Sequence, residues 1–512
     1  MALKVASVLD YVVLVKGEYN WQEQQFFQVK DKPEIKAVVI QASQDQAYLL
    51  FNNQKGKIQI NDELIELPNF DKVLTSMEYF GKIIDLSGNI IEPRAARPTT
   101  FLQYRHSAFE TAAGVLRREL LDRQIYTGIY AIDLFNPIGF GQRELIVGDR
   151  QTGKTHIGIN TIINQKDSRT TKCIYVSIGQ KRQNLVSLYH DLVQNEAMAN
   201  TIVLHAPSTS PFDQYLAPYF AMAHAENLSY NYDVLIVFDD LTKHASVWRE
   251  VALLTNQPIG KEAFPADIFF AHSKLLERSG KFIGRKSITA LPILQTVDND
   301  ITALVSSNVI SITDGQIITS SALFAQGKIP AINIGLSVSR TGSSVQAQNI
   351  RLISKEISSL YYNYQKQIKL AKLEKLDYDL NKETSDLLFK GSQVEQFLIQ
   401  KGYSHYSLTS VLMGIKIISW GLLKDVQDPT KVVDFIRGLV ETDPFAKQVF
   451  NKYTNNEFVD NELAGSYFAT LTNQFLAKTG SLTQLEIPLS FPKMEQSLLD
   501  NIIKKSQTIG GR

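Results

Sequence analysis

The chain carries, at residues 148–155, the stretch Gly148-Asp149-Arg150-Gln151-Thr152-Gly153-Lys154-Thr155. This stretch fits the pattern G-x-x-x-x-G-K-[ST], in which each fixed position has a physical role. The glycines let backbone N–H groups curl around phosphate oxygens, the lysine brings a cation to the outer phosphates, and the final hydroxyl can bind Mg²⁺. The stretch therefore predicts a phosphate-binding loop.

The sequence on either side of this loop supports the prediction. The apolar run Glu144-Leu145-Ile146-Val147 ends at Gly148 and predicts a buried strand, and residues 156–163 place apolar side chains on one face of a helix. A strand before the loop and a helix after it form the context in which this motif binds phosphate. A loop that merely reverses the chain is the less favoured interpretation.

A second motif, downstream of the loop, predicts a metal ligand. The apolar strand Asp233-Val234-Leu235-Ile236-Val237-Phe238 is followed by Asp239 and Asp240. In proteins with a phosphate loop, a carboxylate in this position helps to hold Mg²⁺ through its water shell. Without that loop, the pair would be interpreted as a turn or a helix cap. We assign the Mg²⁺ role to Asp239, together with the hydroxyl of Thr155.

Three sequence patterns divide the 512 residues into predicted domains. Residues 1–95 contain short strands rich in β-branched and aromatic residues, such as those around Val13 and Leu49, which predict a small barrel or sandwich. Residues 96–345 alternate apolar strands with helices, which predicts an α/β domain built on a mostly parallel sheet. In residues 346–512 the apolar side chains recur at intervals of three and four residues, which predicts a helical domain.

The composition argues against several classes of protein. The chain is 44% hydrophobic and 21% charged, with a net charge of +1, so no bulk attraction to nucleic acid or anionic membrane is expected. The single cysteine, Cys173, excludes an internal disulfide and is typical of a reducing cytosol. No run of about 20 apolar residues is present. We therefore expect a cytoplasmic protein that reaches the cytoplasmic face of a membrane only through partners.

Further motifs resemble those of the α subunit of F1-type ATP synthases. Besides the phosphate loop, the resemblance is carried by Thr127-Gly128-Ile129, Pro137-Ile138-Gly139, Gly141-Gln142-Arg143-Glu144-Leu145, Ile178-Gly179-Gln180-Lys181-Arg182, Asn308-Val309-Ile310-Ser311-Ile312-Thr313-Asp314-Gly315-Gln316 and Gly335-Leu336-Ser337-Val338-Ser339-Arg340. It is strong from about residue 127 to about residue 350. The resemblance implies an α/β RecA-like P-loop NTPase core with an N-terminal β-barrel and a C-terminal α-helical bundle, in agreement with the three predicted domains.

The resemblance also implies partners and ligands. Three such chains alternate with three catalytic β-type subunits around a central γ-type shaft, with further stalk or membrane proteins attached and no nucleic acid. The α-type site binds ATP or ADP with Mg²⁺ without appreciable turnover. By resemblance, Arg150, Gln151 and Gln400 contact the nucleotide, and Arg340 reaches the γ-phosphate at the neighbouring catalytic site.

Gln180 decides between holding and hydrolysing the nucleotide. Hydrolysis needs a group that orients and polarises the attacking water, and the catalytic members of the family have a carboxylate at the end of this strand. The amide of Gln180 has little basicity. We therefore predict that Gln180 and the eight residues of the phosphate loop hold a nucleotide that this site does not turn over.

Several positions depart from the family pattern. Ile329 stands where the family has an arginine over the base, and Gly402 stands where it has a second base-contacting glutamine. Gln295 stands in place of a glutamate, and Thr255 and Asn256 replace a pair of arginines before a loop that faces the shaft. We therefore expect altered base recognition and altered contact with the shaft.

The departures leave alternatives open. The barrel pattern begins almost at Met1, so we expect the family's stalk-gripping N-terminal extension to be missing. One alternative is thus a divergent F1-like ATPase that hydrolyses ATP to drive another membrane-attached machine, for example in motility. Others are a catalytic motor subunit, a RecA-like hexameric RNA translocase, and an assembly scaffold with an empty phosphate loop.

Overall fold

The computed structural model describes residues 3–374, 382–481 and 483–509. Met1 and Arg512, the predicted outer limits of the first and last domains, lie outside these residues. The chain forms two compact units, Met1–Val345 and Gln346–Arg512.

The first unit begins with a closed six-stranded barrel, which settles the choice between barrel and sandwich. Its strands are β1 (Leu3–Leu9), β2 (Val12–Lys16), β3 (Phe26–Val29), β4 (Lys32–Ala42), β5 (Gln46–Phe51) and β6 (Glu63–Glu66), in the order β1-β2-β5-β4-β3-β6. Because successive side chains of a strand point to opposite faces, Val13 and Leu49 fill the barrel interior. Their neighbours Val12 and Leu50 join the core of the following domain.

A nine-stranded sheet forms the centre of the rest of the first unit. Its strands are β7 (Ile83–Ile84), β8 (Ile90–Glu92), β11 (Leu145–Gly148), β12 (Thr171–Gln180), β13 (Thr201–Pro207), β14 (Asp233–Asp239), β15 (Ile288–Gln295), β16 (Gly315–Ile318) and β17 (Val338–Ser339), whereas β9 (Gln124–Ile125) and β10 (Ile138–Gly139) pair separately. The helices of this part are α1 (Tyr130–Phe135), α2 (Lys154–Ile163), α3 (Arg182–Gln194), α4 (Pro211–Leu228), α5 (Leu241–Leu254), α6 (Ile268–Leu276), α7 (Leu304–Ile312) and α8 (Ser321–Ala325).

The strand order of the sheet is β17-β16-β11-β15-β14-β12-β13-β7-β8. All pairs from β16 to β7 are parallel, and only the outermost strands β17 and β8 run antiparallel to their neighbours. The carboxyl ends of the parallel strands therefore share one edge, where ligands bind in sheets of this kind. Residues 83–92 belong to this sheet, although they precede the predicted boundary at residue 95, which stays a prediction.

The second unit is helical in the residues that the structure describes. Its helices are α9 (Gln348–Glu374), α10 (Lys382–Phe397), α11 (Leu408–Ser419), α12 (Pro429–Thr442), α13 (Pro444–Thr454), α14 (Asn461–Lys478) and α15 (Gln496–Ile509). Ile350, Ile353 and Ile357 are buried, as their spacing predicts. The barrel, the α/β core and the helical unit confirm the predicted fold class.

A glycine sets the end of one helix in the second unit. The helix α11 begins after its N-cap residue Ser407 and ends at Ser419. Gly421 has a φ angle of 70°, and its N–H bonds the Ile418 carbonyl while that of Leu422 bonds the Ile417 carbonyl. This left-handed glycine cap terminates the helix.

Across residues 3–374, 382–481 and 483–509, no helix has both the length and the apolar character needed to cross a membrane.

Candidate functional site

The phosphate-loop motif forms the turn between β11 and α2. Gly148, the last residue of β11, has a φ angle of 156°, and Gly153, just before α2, has one of 89°. Residues that carry a side chain rarely adopt such positive φ angles. A Cβ atom at Gly148 would also lie only 2.1 Å from Thr319 Oγ1. Both fixed glycines of the motif are therefore required by the observed turn.

Polar residues from neighbouring strands hold the loop in place. Thr152 Oγ1 donates to the Asp149 carbonyl over 2.8 Å and lies 2.6 Å from Thr319 Oγ1. The Asp149 carboxylate accepts from the Thr296 hydroxyl at 2.7 Å and from the Asn299 N–H at 2.8 Å. The sequence interpretation did not identify Thr319, Thr296 and Asn299 as contacts of the loop. Thr296 and Thr319 directly follow the apolar strands β15 and β16, which is the signal that would have identified them.

Lys154 lies in the first turn of α2, with its ammonium group against the loop. The side chain is buried and donates to the Asp149 carbonyl. Burial lowers the pKa of Lys154, while the charges of Asp240, Asp239 and Asp149 oppose that shift. A buried ammonium is stabilised by an anionic partner. The position and environment of Lys154 therefore fit a phosphate group in the loop.

Thr155 and Asp239 meet beside the loop. Thr155 Oγ1 donates to Asp239 Oδ2 over 2.8 Å, and the hydroxyl of the buried Tyr175 donates to the same oxygen. Tyr175 was missed because it lies inside an apolar strand. A hydroxyl and a carboxylate are suitable ligands for Mg²⁺, which usually takes its remaining ligands from phosphate and water. The donor set therefore fits a magnesium ion that accompanies a nucleotide.

Asp240 has a different task from Asp239. Its Oδ1 atom accepts the Lys243 N–H at 2.9 Å, which caps the N-terminus of α5. Burial, followed by the charge of Asp239, raises the pKa of Asp240 to about 6. Asp240 therefore caps a helix, whereas Asp239 contacts Thr155 of the phosphate loop; the Mg²⁺ role of Asp239 stays a prediction.

Gln180 ends β12, the strand next to β14. In that pair Ser177 lies opposite Asp239, so Gln180 lies three residues further along its strand, past the aspartate at the carboxyl edge of the sheet. Its half-buried side chain accepts a hydrogen bond from Asn184 Nδ2 at 3.2 Å. An amide can orient a polar group or a water molecule, but it is a far weaker proton acceptor than a carboxylate.

A second amide ends the strand between β11 and β14. Gln295, the last residue of β15, lies opposite Gly148 in the register of the sheet. Its Oε1 atom accepts a hydrogen bond from Arg150 Nε at 3.4 Å. Gln151 has a φ angle of 59° and is exposed at the turn of the loop. Arg150 and Gln151 are thus both accessible beside the phosphate loop.

Arg340 lies away from these residues. It follows β17, whose Ser339 pairs with Gly315 at the start of β16. The other end of β16, at Ile318, pairs with Val147 next to the phosphate loop. The two ends are separated by three residue steps, or about 10 Å of extended strand. The exposed Arg340 therefore lies at the opposite edge of the sheet from the chain's own loop.

The residues expected near the base belong to both units of the chain. Gln400 is buried in the second unit, shortly after α10, and Gly402 has a φ angle of 71°. Ile329 lies in the first unit, between α8 and β17. Their roles at a base stay predictions. The structure brings Thr155 of the phosphate loop into contact with Asp239 and places Gln180 at the same carboxyl edge of the sheet, whereas Arg340 follows the edge strand at the other end of β16.

These features define a class of protein. β15 separates the phosphate-loop strand β11 from β14, which ends at Asp239. A glycine-rich phosphate loop at the carboxyl edge of a parallel sheet, with a strand that ends in an aspartate nearby, is the arrangement of P-loop nucleotide-binding proteins. The first unit thus contains a RecA-like P-loop nucleotide-binding domain.

Comparison with known proteins gives the family. Residues 128–339 match the model of the ATP synthase alpha/beta family, nucleotide-binding domain, and residues 346–475 match that of the ATP synthase alpha/beta chain, C-terminal domain. The chain belongs to the ATP synthase alpha/beta family.

Relatives narrow this result. The chain is 42% identical over 461 residues to "ATP synthase subunit alpha 2" of Mycoplasmopsis pulmonis (strain UAB CTIP), covering 89% of this chain and 88% of the relative. It is 38% identical over 457 residues to "ATP synthase subunit alpha" of Ruthia magnifica subsp. Calyptogena magnifica, covering 85% and 86%. It is 35% identical over 499 residues to "ATP synthase subunit alpha" of Mycoplasma genitalium, covering 94% of each. The predicted resemblance to F1-type α subunits is confirmed.

Proposed function

We propose that the chain is the non-catalytic, nucleotide-binding α-type subunit of an F1-like ATPase. It alternates with catalytic β-type subunits in a ring around a γ-type shaft and supplies Arg340 to the adjacent catalytic site. Family membership and the names of the relatives support this assembly. The division into domains at residues 95 and 345, and a cytoplasmic location at the face of a membrane, belong to the same proposal.

The observation that carries the proposal is the amide at Gln180. This side chain lies at the edge of the sheet where Thr155 contacts Asp239, which is where water would attack a nucleotide held by the loop. Without a carboxylate there, the attacking water gains little activation. The site therefore retains nucleotide and leaves the chemistry to its neighbour.

The loop residues account for retention. Backbone N–H groups of residues 148–155 surround the phosphates of ATP or ADP, and the ammonium of Lys154 balances their charge. Thr155, and Asp239 through water, hold the accompanying Mg²⁺, which screens the phosphate charge. Arg150 and Gln151 add contacts beside the loop, and Gln400 contacts the base.

The position of Arg340 supports a role in trans. The arginine directly follows the edge strand β17, at the end of β16 opposite to the chain's own phosphate loop. It is exposed, so its guanidinium is accessible to another subunit. The planar guanidinium can then meet charge that develops on the γ-phosphate of the neighbour's nucleotide.

Isolation of the native complex tests this proposal. Mass spectrometry of the purified assembly is expected to find this chain and a β-type chain in equal numbers with fewer copies of a shaft chain, and denaturation is expected to release ATP or ADP. A ring that contains only this chain and hydrolyses ATP would contradict the proposal in favour of a motor subunit, or of an RNA translocase if RNA stimulates it. An assembly that releases no nucleotide would indicate a scaffold.

A further inference from the structure

Gln142 lies just before the phosphate-loop strand and has no exposed surface. Its Nε2 atom donates to Glu144 Oε2 at 2.7 Å and to Ser339 Oγ at 3.0 Å. Its Oε1 atom accepts from the Gly139 N–H at 2.7 Å and from the Thr341 hydroxyl. These four hydrogen bonds use the full donor and acceptor capacity of the amide group. A buried amide satisfied in this way is fixed in one orientation.

Two of the four partners are the residues on either side of Arg340. Ser339 Oγ also donates to the Pro137 carbonyl at 2.7 Å, and the backbone N–H of Arg340 donates to the Asp314 carbonyl at 2.8 Å. The backbone of the exposed arginine is therefore anchored at its own nitrogen and through both adjacent side chains. Only the Arg340 side chain is left to move.

The buried carboxyl group of Glu144 accepts one of the hydrogen bonds of Gln142. Glu144 has no exposed surface, and in the described part of the chain its Oε1 atom has no hydrogen-bond partner. Burial, reinforced by Asp314 and opposed by Gln142 and Arg340, raises the pKa of Glu144 well above its ordinary value, which favours the uncharged form. The carboxyl group packs on Gly315, where an added Cβ atom would lie 2.5 Å from Glu144 Oε2.

An ion pair fixes the neighbouring turn. The Arg143 guanidinium binds both carboxylate oxygens of Asp314, at 2.9 and 2.7 Å, and the Arg143 N–H donates to the same carboxylate at 3.0 Å. Such bidentate pairs fix orientation as well as distance. Asp314 is also the residue whose carbonyl accepts the N–H of Arg340. The segment that precedes the phosphate loop and the segment that carries Arg340 thus form one rigid contact.

We propose that Gln142 is a positioning residue for Arg340. By holding Ser339 and Thr341, it directs the Arg340 guanidinium toward the catalytic site of the neighbouring subunit. This inference rests on the proposed function, because it requires Arg340 to act on another subunit's nucleotide. An arginine whose backbone is fixed has fewer conformations to lose when it meets a developing charge. The effect of Gln142 on turnover is therefore exerted entirely through Arg340.

A double-mutant cycle in the assembled complex tests this assignment. Gln142→Leu is expected to lower kcat by roughly tenfold with little change in KM, and Thr341→Val is expected to lower it less. In an Arg340→Ala background, neither substitution should reduce the residual turnover further, because the group that they position is absent. Thr341→Val removes a single hydroxyl from a half-buried side chain, so it decides the matter if Gln142→Leu prevents assembly.

Gln165→Leu is the matched control. Gln165 is also buried in the first unit and donates to the carbonyls of Tyr126 and Thr161, so its loss removes an equivalent amide without touching the Arg340 segment. Normal turnover in Gln142→Leu and Thr341→Val, or losses that multiply with that of Arg340→Ala, would overturn the inference while leaving the proposed function intact. A normal Arg340→Ala complex would overturn both.

Discussion

Replacing Arg340 with alanine is expected to lower the ATP turnover of the assembled complex by about 10³- to 10⁵-fold, the range that arginines supplied in trans contribute to phosphoryl transfer. The guanidinium meets negative charge that is larger in the transition state than in the ground state, so its removal affects kcat more than substrate binding. Steady-state hydrolysis by a complex reconstituted with the variant gives the measurement. Because Arg340 is exposed, assembly and the fold of the subunit should be unchanged.

Two further substitutions make the result specific. Arg340→Lys keeps the charge but loses the planar fork, so it should restore only part of the activity. Arg169→Ala removes another exposed arginine of the same unit, in the segment between α2 and β12, and should leave turnover unchanged. If the Arg340→Ala complex hydrolyses ATP at a near-normal rate, Arg340 has no part in catalysis.

Replacing Lys154 with alanine is expected to weaken nucleotide binding at this subunit's own site by roughly 10- to 150-fold, the equivalent of a charge-assisted hydrogen bond. Lys154 is the one lysine among residues 148–155, so no other ammonium group of the loop can take its place. The measurement is the amount of ATP or ADP that remains with the purified chain after gel filtration, together with equilibrium titration by a fluorescent ATP analogue. Hydrolysis at the β-type sites should fall much less than in Arg340→Ala.

Lys166→Ala provides the matched control. Lys166 lies just beyond α2 and pairs with Glu196 at 3.2 Å near the surface, so its removal deletes a lysine of the same domain without changing the loop. It should retain nucleotide as the unaltered chain does. Equal retention by Lys154→Ala would mean that the loop does not hold the phosphates.

The predictable part of the fold comes from local chemistry. The phosphate loop is recognisable because Gly148 and Gly153 meet a backbone requirement that few other residues satisfy. The barrel follows from the alternation of inward and outward side chains, as at Val12 and Val13, and the helical unit follows from three- and four-residue spacing. Each of these patterns is set by residues that are close together in the sequence, so the sequence alone is enough to recognise it.

The remaining features depend on contacts between distant segments. No local pattern indicates that residues 83–92 join the edge of the central sheet, or that Gln142 bonds both neighbours of an arginine about 200 residues away. The same holds for Tyr175, which appears apolar in its strand and proves to contact Asp239. The opposite placement of Arg340 and the phosphate loop likewise follows from the antiparallel pairing of β17 with β16.

The most direct test of the account is a single-turnover experiment on the purified chain in the absence of any β-type subunit. The chain is loaded with Mg²⁺ and ATP labelled at the γ-phosphate, and the bound label is followed with time. Because an amide stands at Gln180, we expect the label to remain with the protein as intact ATP. Rapid release of labelled phosphate that Lys154→Ala abolishes would contradict the account, since it would locate hydrolysis at this site.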